Sequence, residues 1–274
     1  MVSPANLSQH RGGHAAEAHR SGHLFCFALL FLKQKRPKAF LFENVQGLWS
    51  HHSELLLEFL TALKSLKDPH SGAPLYNIHC RCLNSKHWLP QTRGRLYIVG
   101  ILRTARVERF HWPTPPATVP SLDSLAFVPP CRDQACNPDM RSWGVVQLRN
   151  MRFALKSIAR LGGDPTREPW VVDLDSSPSR PVVPKLGVSH CITRSRAMGG
   201  GYYVTSWGRR MCVDELARLQ GFPDGRIVKP LGVSPRHFAG MFGNAMTIPV
   251  VADILRKICV AIGATLLDHH LTFL

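Results

Sequence analysis

A carboxylate closes an apolar strand in the stretch KAFLFENVQGL, residues 38–48. Four apolar residues, 39–42, precede Glu43, so its side chain lies at the C-terminal end of a predicted core strand. A glutamate in that place can do acid–base work on a bound substrate, or it can cap the helix that follows. The residue types alone leave both interpretations open.

Two arginines precede a second apolar strand, in LPQTRGRLYIVGI at residues 89–101. Arg93 and Arg95 are alternate residues, and alternate side chains of an extended chain point to the same face. Their planar guanidinium groups suit oxygen acceptors such as carbonyl and phosphate groups. Solvated charges before a strand are the other interpretation that the residues allow.

Four short motifs follow one another along the chain, with a long variable stretch, residues 103–205, between the second and the third. They are Glu-Asn-Val at 43–45, Gln-x-Arg-x-Arg at 91–95, Arg-Leu-Gln-Gly-Phe-Pro at 218–223 and Gly-Asn at 243–244. Together and in this order they resemble the late motifs of the cytosine-C5 DNA methyltransferases. The resemblance covers roughly residues 21–262.

The resemblance implies an enzymatic reaction, the transfer of a methyl group from S-adenosylmethionine to C5 of cytosine in DNA. In that family a thiolate adds to C6 of a cytosine that has left the duplex, and the ring then takes the methyl group. Glu43 would hold the flipped cytosine at N3 and at its exocyclic amine, while Arg93 and Arg95 would lie near the carbonyl oxygen of the base and the phosphate. Asn244 and Ala245 would contact the cofactor.

Two parts of the family pattern are missing from their expected places. The catalytic thiol of the family lies in a Pro-Cys-Gln loop, and the equivalent stretch of this sequence has Ala5 near the thiol position, with Pro4 and Ser8 as remnants of the loop. Cys26 lies in an apolar helix beyond this loop and does not substitute for the thiol. The strand and glycine-rich turn that would cradle the methionine part of the cofactor are also missing.

Three accounts of the chain fit this departure from the family. It can be a truncated portion of an active enzyme, one half of a split enzyme that a second polypeptide completes with the cofactor site, or a non-catalytic DNA-binding relative. We expect the 274 residues to have no methyltransferase activity by themselves. An RNA methyltransferase of the same fold is a further alternative, because basic charge does not distinguish DNA from RNA.

The charge of the chain favours a polyanionic partner. The sequence has 34 Lys and Arg against 18 Asp and Glu, a formal net charge of +16 and a pI of about 10.0. Nucleic acid, here double-stranded DNA, is the first expectation, ahead of an anionic membrane surface. No stretch reaches the ~20 apolar residues of a membrane span, so no membrane partner is expected.

The cysteines indicate a reducing compartment and no metal site. Eight cysteines in a chain without a secretory signal predict an intracellular protein, in the nucleus of a eukaryote or otherwise in the cytoplasm or nucleoid. Cys80 and Cys82 share a strand face, but Cys131 and Cys136 follow far downstream, and this spacing is a poor zinc signature. Core or loop thiols are the preferred interpretation.

The elements that would position these groups alternate between helix and strand. We predict a buried helix over residues 22–34, a helix over 53–67, and apolar or alternating strands over 38–43, 76–83 and 95–102. Continuous apolar strands between helices are typical of a parallel sheet covered on both faces. The predicted fold class is α/β, a partial Rossmann-like parallel sheet with a small irregular target-recognition domain.

The motifs divide the chain into four predicted regions. They are a degenerate or disordered start at 1–20, the later strands of a catalytic domain at 21–102, a target-recognition region at 103–205, and C-terminal helices that return to the catalytic domain at 206–274. Because the first strands of the fold are missing, we expect an unpaired sheet edge and an exposed apolar face on the helix at 247–262.

Overall fold

The helices and strands are those of a computed structural model, which describes residues 15–126, 143–224 and 227–264. The helices are α1 Ala15–Lys35, α2 Gly47–Ser50, α3 Ser53–Lys64, α4 Val145–Arg160, α5 Arg194–Met198, α6 Val213–Arg218, α7 Pro235–Asn244 and α8 Ile248–Ala261. The strands are β1 Ala39–Val45, β2 Tyr76–Asn84, β3 Gly94–Leu102, β4 Trp170–Val172, β5 Lys185–Leu186, β6 Tyr203–Val204 and β7 Arg209–Arg210. Pro4, Ala5, Ser8, Cys131 and Cys136 lie outside the described residues.

The described residues form two compact units. Unit 1 consists of residues 15–83, 94–112 and 255–264. Unit 2 consists of residues 84–93, 113–126, 143–224 and 227–254. The division separates Arg93 from Arg95, so these two predicted site residues belong to different units.

The sheet of unit 1 has three strands in the order β1-β3-β2. β1 and β3 pair antiparallel, with Glu43 opposite Tyr97 and Val45 opposite Arg95. Among the described residues β1 has a neighbour on one side only, so its other edge is unpaired, as the sequence predicted.

The prediction of a parallel sheet was wrong for the pairing of β1 with β3. The physical reason lies in the connection before β3. Residues 85–93 join β2 to its neighbour β3, and this connection is shorter than the dozen or more residues that a parallel crossover needs. The chain therefore turns back, and β3 enters the sheet between two strands that precede it.

The core of unit 1 lies between its helices and one face of this sheet. Leu32 of α1, Leu63 of α3 and Leu96 of β3 are almost completely buried in one cluster, which Phe40 of β1 and Phe59 of α3 join. Burying a side chain of this size contributes roughly 1.5–3 kcal/mol. Because β1 and β3 both contribute to this cluster, their packing fixes the positions of the strands that carry Glu43 and Arg95.

The prediction of a buried helix over 22–34 was only partly right. Leu32 is buried in the core, but Leu24, Phe27 and Phe31 are 69%, 67% and 56% exposed. The run of nine apolar residues at 24–32 covers more than one side of a helix. Only one side of α1 packs on the core of unit 1, and no described residue covers the other.

Unit 2 is built on a four-stranded sheet in the order β5-β4-β6-β7, with every described pair antiparallel. Val171 and Val204, from the two central strands, are fully buried in its main cluster. The unit also contains α4, a helix of 16 residues within the target-recognition region at 103–205, where no helix was predicted.

Helix α8 buries more of its apolar surface than the sequence predicted. Val250, Ile254 and Ile258 form a buried stripe, and Leu255 and Val260 are the exposed members.

Within the described ranges, no single helix is long and apolar enough to cross a membrane, although α7 and α8, bent by 42°, pass that test of length and composition together.

Candidate active site

An ion pair joins the ends of two strands in unit 1. Nε of Arg95 lies 2.8 Å from Oε1 of Glu43, and the two side chains are 14% and 22% exposed. Nη1 of Arg95 also donates a hydrogen bond of 2.8 Å to the carbonyl oxygen of Gly94. The carboxylate therefore has a fixed orientation at the end of β1, and it remains in partial contact with solvent.

The strand register brings these two side chains together. Because Glu43 is opposite Tyr97, Arg95 is its diagonal neighbour on the same face of the sheet. Long side chains reach across that diagonal separation. The pattern of alternation in each strand, together with the antiparallel pairing, thus accounts for the contact.

Gly94 allows the chain to pass close to Gln46, just beyond β1. A Cβ atom at position 94 would overlap the side chain of Gln46. A larger residue at position 94 would therefore displace either the side chain of Gln46 or the backbone at the start of β3.

Arg93 is in unit 2, one residue before β3, and it is only 2% exposed. Its Nη1 donates to the carbonyl oxygen of Ile192 and its Nη2 to that of Ala245, both at 2.8 Å. Both nitrogens also lie 3.4 Å from the carbonyl oxygen of Gly243. These partners are backbone groups of unit 2, and the contacts of Arg93 with the base and the phosphate stay a prediction. Arg93 precedes the first residue of β3, so it lies outside the strand in which Arg95 alternates.

The segment that Arg93 holds is the end of α7. A Cβ atom on Gly243 would overlap the backbone of Thr193 and Arg194, so this position needs glycine for the close packing of α7 against α5. Asn244 is exposed, and Ala245, which follows the helix, donates its N–H to the carbonyl oxygens of Met241 and Phe242. Of the two residues predicted to contact the cofactor, Asn244 has a side chain that faces solvent. The backbone N–H and carbonyl groups of Ala245 both form hydrogen bonds within unit 2.

Two buried glutamines, Gln91 and Gln220, join further segments of unit 2, and neither was predicted from the sequence to have a role. Gln91 donates to the carbonyl oxygen of Leu219 at 2.7 Å and accepts from the N–H of Ile192 at 3.1 Å. Gln220 donates to the carbonyl oxygen of Phe242 at 2.8 Å and accepts from the hydroxyl of Thr247 at 3.1 Å. Both glutamines lie in motifs quoted from the sequence. An uncharged amide inside such a motif is the sequence feature that could have predicted their structural role.

The cysteines of β2 are poorly suited to nucleophilic chemistry. Burial raises the pKa of the Cys80 thiol to about 11, with the neighbouring Cys82 adding to the effect. Burial also raises the pKa of Cys82. Both thiols therefore stay protonated at neutral pH, and the thiolate is the reactive form.

The structure thus brings Glu43 and Arg95 together in unit 1, and Arg93, Asn244 and Ala245 together in unit 2. Within the described part of the chain, no group of three or more His, Cys, Asp or Glu side chains could hold a metal ion.

Comparison with known proteins gives a consistent result for the sequence. The family described as C-5 cytosine-specific DNA methylase matches residues 7–259. Type II methyltransferase M.NgoBI of Neisseria gonorrhoeae is 31% identical over 241 residues, which are 87% of this chain and 66% of that protein. Type II methyltransferase M.HpaII of Haemophilus parainfluenzae is 26% identical over 251 residues, 88% of this chain and 66% of that protein. The chain spans about two thirds of the length of these curated relatives.

Solved structures show the same fold. The Entamoeba histolytica methyltransferase EhMeth superposes with a TM-score of 0.57 at 13% identity, over 94% of this chain and 73% of that chain. The S. pombe Dnmt2 methyltransferase superposes with a TM-score of 0.53 at 16% identity, over 86% of this chain and 72% of that chain. The predicted α/β class is confirmed, and the fold is that of S-adenosylmethionine-dependent methyltransferases.

Proposed function

Because the chain belongs to the C-5 cytosine-specific DNA methylase family, we propose that it serves the transfer of a methyl group from S-adenosylmethionine to C5 of a cytosine in double-stranded DNA. We further propose that the 274 residues need additional polypeptide for this reaction. The Glu43–Arg95 ion pair is the observation that carries the proposal, since it supplies an oriented carboxylate at the mouth of a strand.

Glu43 is the proposed catalytic residue of unit 1. Its Oε1 is engaged by Arg95, and a carboxylate accepts hydrogen bonds at both oxygens, so Oε2 can receive the protonated N3 of a flipped cytosine. Protonation at N3 accompanies the attack of a thiolate at C6, because the ring then carries less negative charge. Arg95 orients the carboxylate, and its planar guanidinium group suits the carbonyl oxygen of the base.

Arg93 is proposed as a positioning residue. Its guanidinium group joins the carbonyl oxygens of Ile192 and Ala245 through two hydrogen bonds of 2.8 Å. Those bonds hold the segment after α7, in which Asn244 is exposed. Arg93 thereby sets the place of Asn244, the residue of that segment that can donate or accept a hydrogen bond from a ligand.

The described residues do not by themselves fit the cofactor. S-adenosylmethionine supplies an electrophilic methyl group and needs a cradle of backbone N–H groups at a glycine-rich turn between a strand and a helix. β1 is followed by Gln46 and by α2, a helix of only four residues. Asn244 offers one contact, and we propose that a further segment supplies the cradle and the nucleophilic thiol.

Unit 1 has a surface suited to such a segment. The unpaired edge of β1 can accept another strand, and the exposed residues Leu24, Phe27 and Phe31 of α1 can pack against another helix. The proposed occupant is a strand–helix segment with the glycine-rich turn, supplied by a second polypeptide or by chain continuous with this one. About one third of each relative's length lies outside the part that matches, which leaves room for it.

A tritium-transfer assay tests the proposed activity. The purified chain alone, with labelled S-adenosylmethionine and cytosine-containing duplex, should give no incorporation, and clear incorporation would refute the need for a further segment. The same chain co-expressed with the N-terminal third of M.NgoBI should gain incorporation. In that completed protein Glu43→Gln should lower the rate by about 10²-fold or more, whereas exposed Glu54→Gln serves as the matched control.

A non-catalytic DNA-binding role is the second candidate, and the net charge of +16 together with Ala5 favours it. In that case the completed protein would bind duplex DNA with a steep salt dependence but would incorporate no label. Incorporation that depends on Glu43 excludes this candidate.

A further inference from the structure

Helix α4 of unit 2 carries a continuous basic stripe. Arg149, Arg152, Lys156 and Arg160 are spaced by three, four and four residues, so they lie within about 80° on one face of the helix. The sequence of α4, VVQLRNMRFALKSIAR, contains no acidic residue. Because the rise is about 1.5 Å per residue, the stripe is about 16 Å long.

The opposite face of α4 anchors the helix. Asn150, Ala154 and Ile158 are completely buried, and the amide nitrogen of Asn150 donates to the carbonyl oxygens of Leu174 at 2.8 Å and Ser176 at 2.9 Å. The direction of the basic stripe is therefore fixed relative to the sheet of unit 2. A rigid row of cations keeps more of its binding free energy than a flexible one, since less conformational entropy is lost.

The cations at the centre and end of the stripe are available to a partner. Arg149 is partly engaged, since Nη2 donates to the carbonyl oxygen of Pro178 at 3.1 Å and its guanidinium group lies 5.1 Å from the ring centroid of Phe153. Arg152, Lys156 and Arg160 are exposed, and none of them forms an ion pair or hydrogen bond with the described part of the chain.

We propose that this stripe binds the phosphate backbone of double-stranded DNA and positions the duplex without reading its bases. The inference rests on DNA being the substrate under the proposed function. Phosphates of one strand advance by about 3.4 Å of helix axis per base pair, so a stripe of this length runs past about five of them. Three free cations match three of these phosphates in charge.

An anionic membrane fits this helix less well. A membrane-bound helix inserts the apolar face that lies opposite its basic face. In α4 that opposite face is the buried one, with Ala154 and Ile158 in the interior of unit 2. Insertion would require the helix to leave its unit.

Salt-dependent DNA binding tests the inference. The full chain and the variant R152Q/K156Q/R160Q are titrated with a fluorescent duplex between 50 and 200 mM salt. The slope of log K against log salt should be smaller by about 2 to 3 in the variant, at about 0.9 per lost phosphate contact. Binding to two unrelated duplexes should weaken equally, because backbone contacts carry no sequence information.

A matched control separates the stripe from overall charge. The variant K33Q/K35Q/K64Q removes three exposed cations from unit 1 and the same net charge. If its slope falls as far as that of the α4 variant, or if the α4 variant binds DNA like the unaltered chain, the inference is overturned. Loss of binding to anionic vesicles with unchanged DNA binding would also overturn it. Failure of the unaltered chain to bind duplex would count instead against the proposed function, and the inference would fall with it.

Discussion

Glu43 and Arg95 face each other diagonally across two antiparallel strands, with Oε1 of Glu43 2.8 Å from Nε of Arg95. Both belong to unit 1. The pair is largely shielded from water, and the register of β1 and β3 holds it in place. The carboxylate is therefore oriented by its own unit, and such preorganisation is what the proposed role of Glu43 requires.

A double-mutant cycle should detect this ion pair. For Glu43→Gln, Arg95→Met and the double variant, we expect a coupling of about 1 kcal/mol in the free energy of unfolding, above most exposed pairs because both groups are mostly buried. Urea unfolding at neutral pH measures it. The cycle on Asp164 and Arg167, whose side chains are 47% and 88% exposed, is the control. A coupling no larger than that of the control would contradict the description of the pair.

Arg93→Lys should destabilise unit 2. A lysine cannot reach the carbonyl oxygens of Ile192 and Ala245 together, and a buried acceptor left without its charged donor costs about 1–3 kcal/mol. Urea unfolding should show the loss, and Arg167→Lys, at an exposed position, should not. If Arg93→Lys unfolds like the unaltered chain but weakens DNA binding, then Arg93 contacts the substrate, and its hydrogen bonds to the backbone of unit 2 do not stabilise the fold.

Phe27→Asp should leave the isolated chain folded. The side chain is 67% exposed on α1, so the thermal midpoint should change little. Leu32→Asp introduces the same charge at a residue that is 1% exposed and should unfold unit 1. With the completing segment of the co-expression experiment present, Phe27→Asp should reduce co-purification. Unfolding by both variants alike would show that the face of α1 is already covered.

Acidification should destabilise unit 2 through His190. Burial, followed by the nearby Lys185, lowers the pKa of this imidazole to about 4, below its unfolded value of about 6.5. The unfolded chain thus binds the proton more tightly, so this contribution to stability is present above pH 6.5 and is lost as the pH falls towards 4. The loss should reach roughly 2 kcal/mol at pH 5.

Urea unfolding between pH 7 and pH 5 measures this effect. His190→Gln should remove that part of the pH dependence, whatever its effect on stability at pH 7, and the exposed His87→Gln should retain it. An unchanged pH dependence in His190→Gln would show that other groups cause the acid sensitivity.

Local patterns in the sequence were sufficient for the family, the fold class and the strands that carry the site. The apolar runs before Glu43 and after Arg95 are strands β1 and β3 in the structure, because a short continuous apolar segment bounded by polar residues has few other stable forms. The four motifs in order identified the family that the comparisons confirmed. Each motif and each apolar run lies within about ten residues, and the order of the motifs is itself a property of the sequence, so sequence alone determined them.

The tertiary structure decided which strands pair and what each arginine holds. Arg93 and Arg95 are two residues apart, yet Arg95 binds Glu43 in unit 1, and Arg93 binds carbonyl groups 99 and 152 residues further along the chain in unit 2. The antiparallel entry of β3 and the exposed side of α1 likewise depend on neighbours that no local pattern specifies. Packing between residues far apart in the sequence determines the partners of a side chain. The sequence alone therefore identified Glu43, Arg93 and Arg95 as the groups of interest, and only the tertiary structure determined which groups each of them contacts.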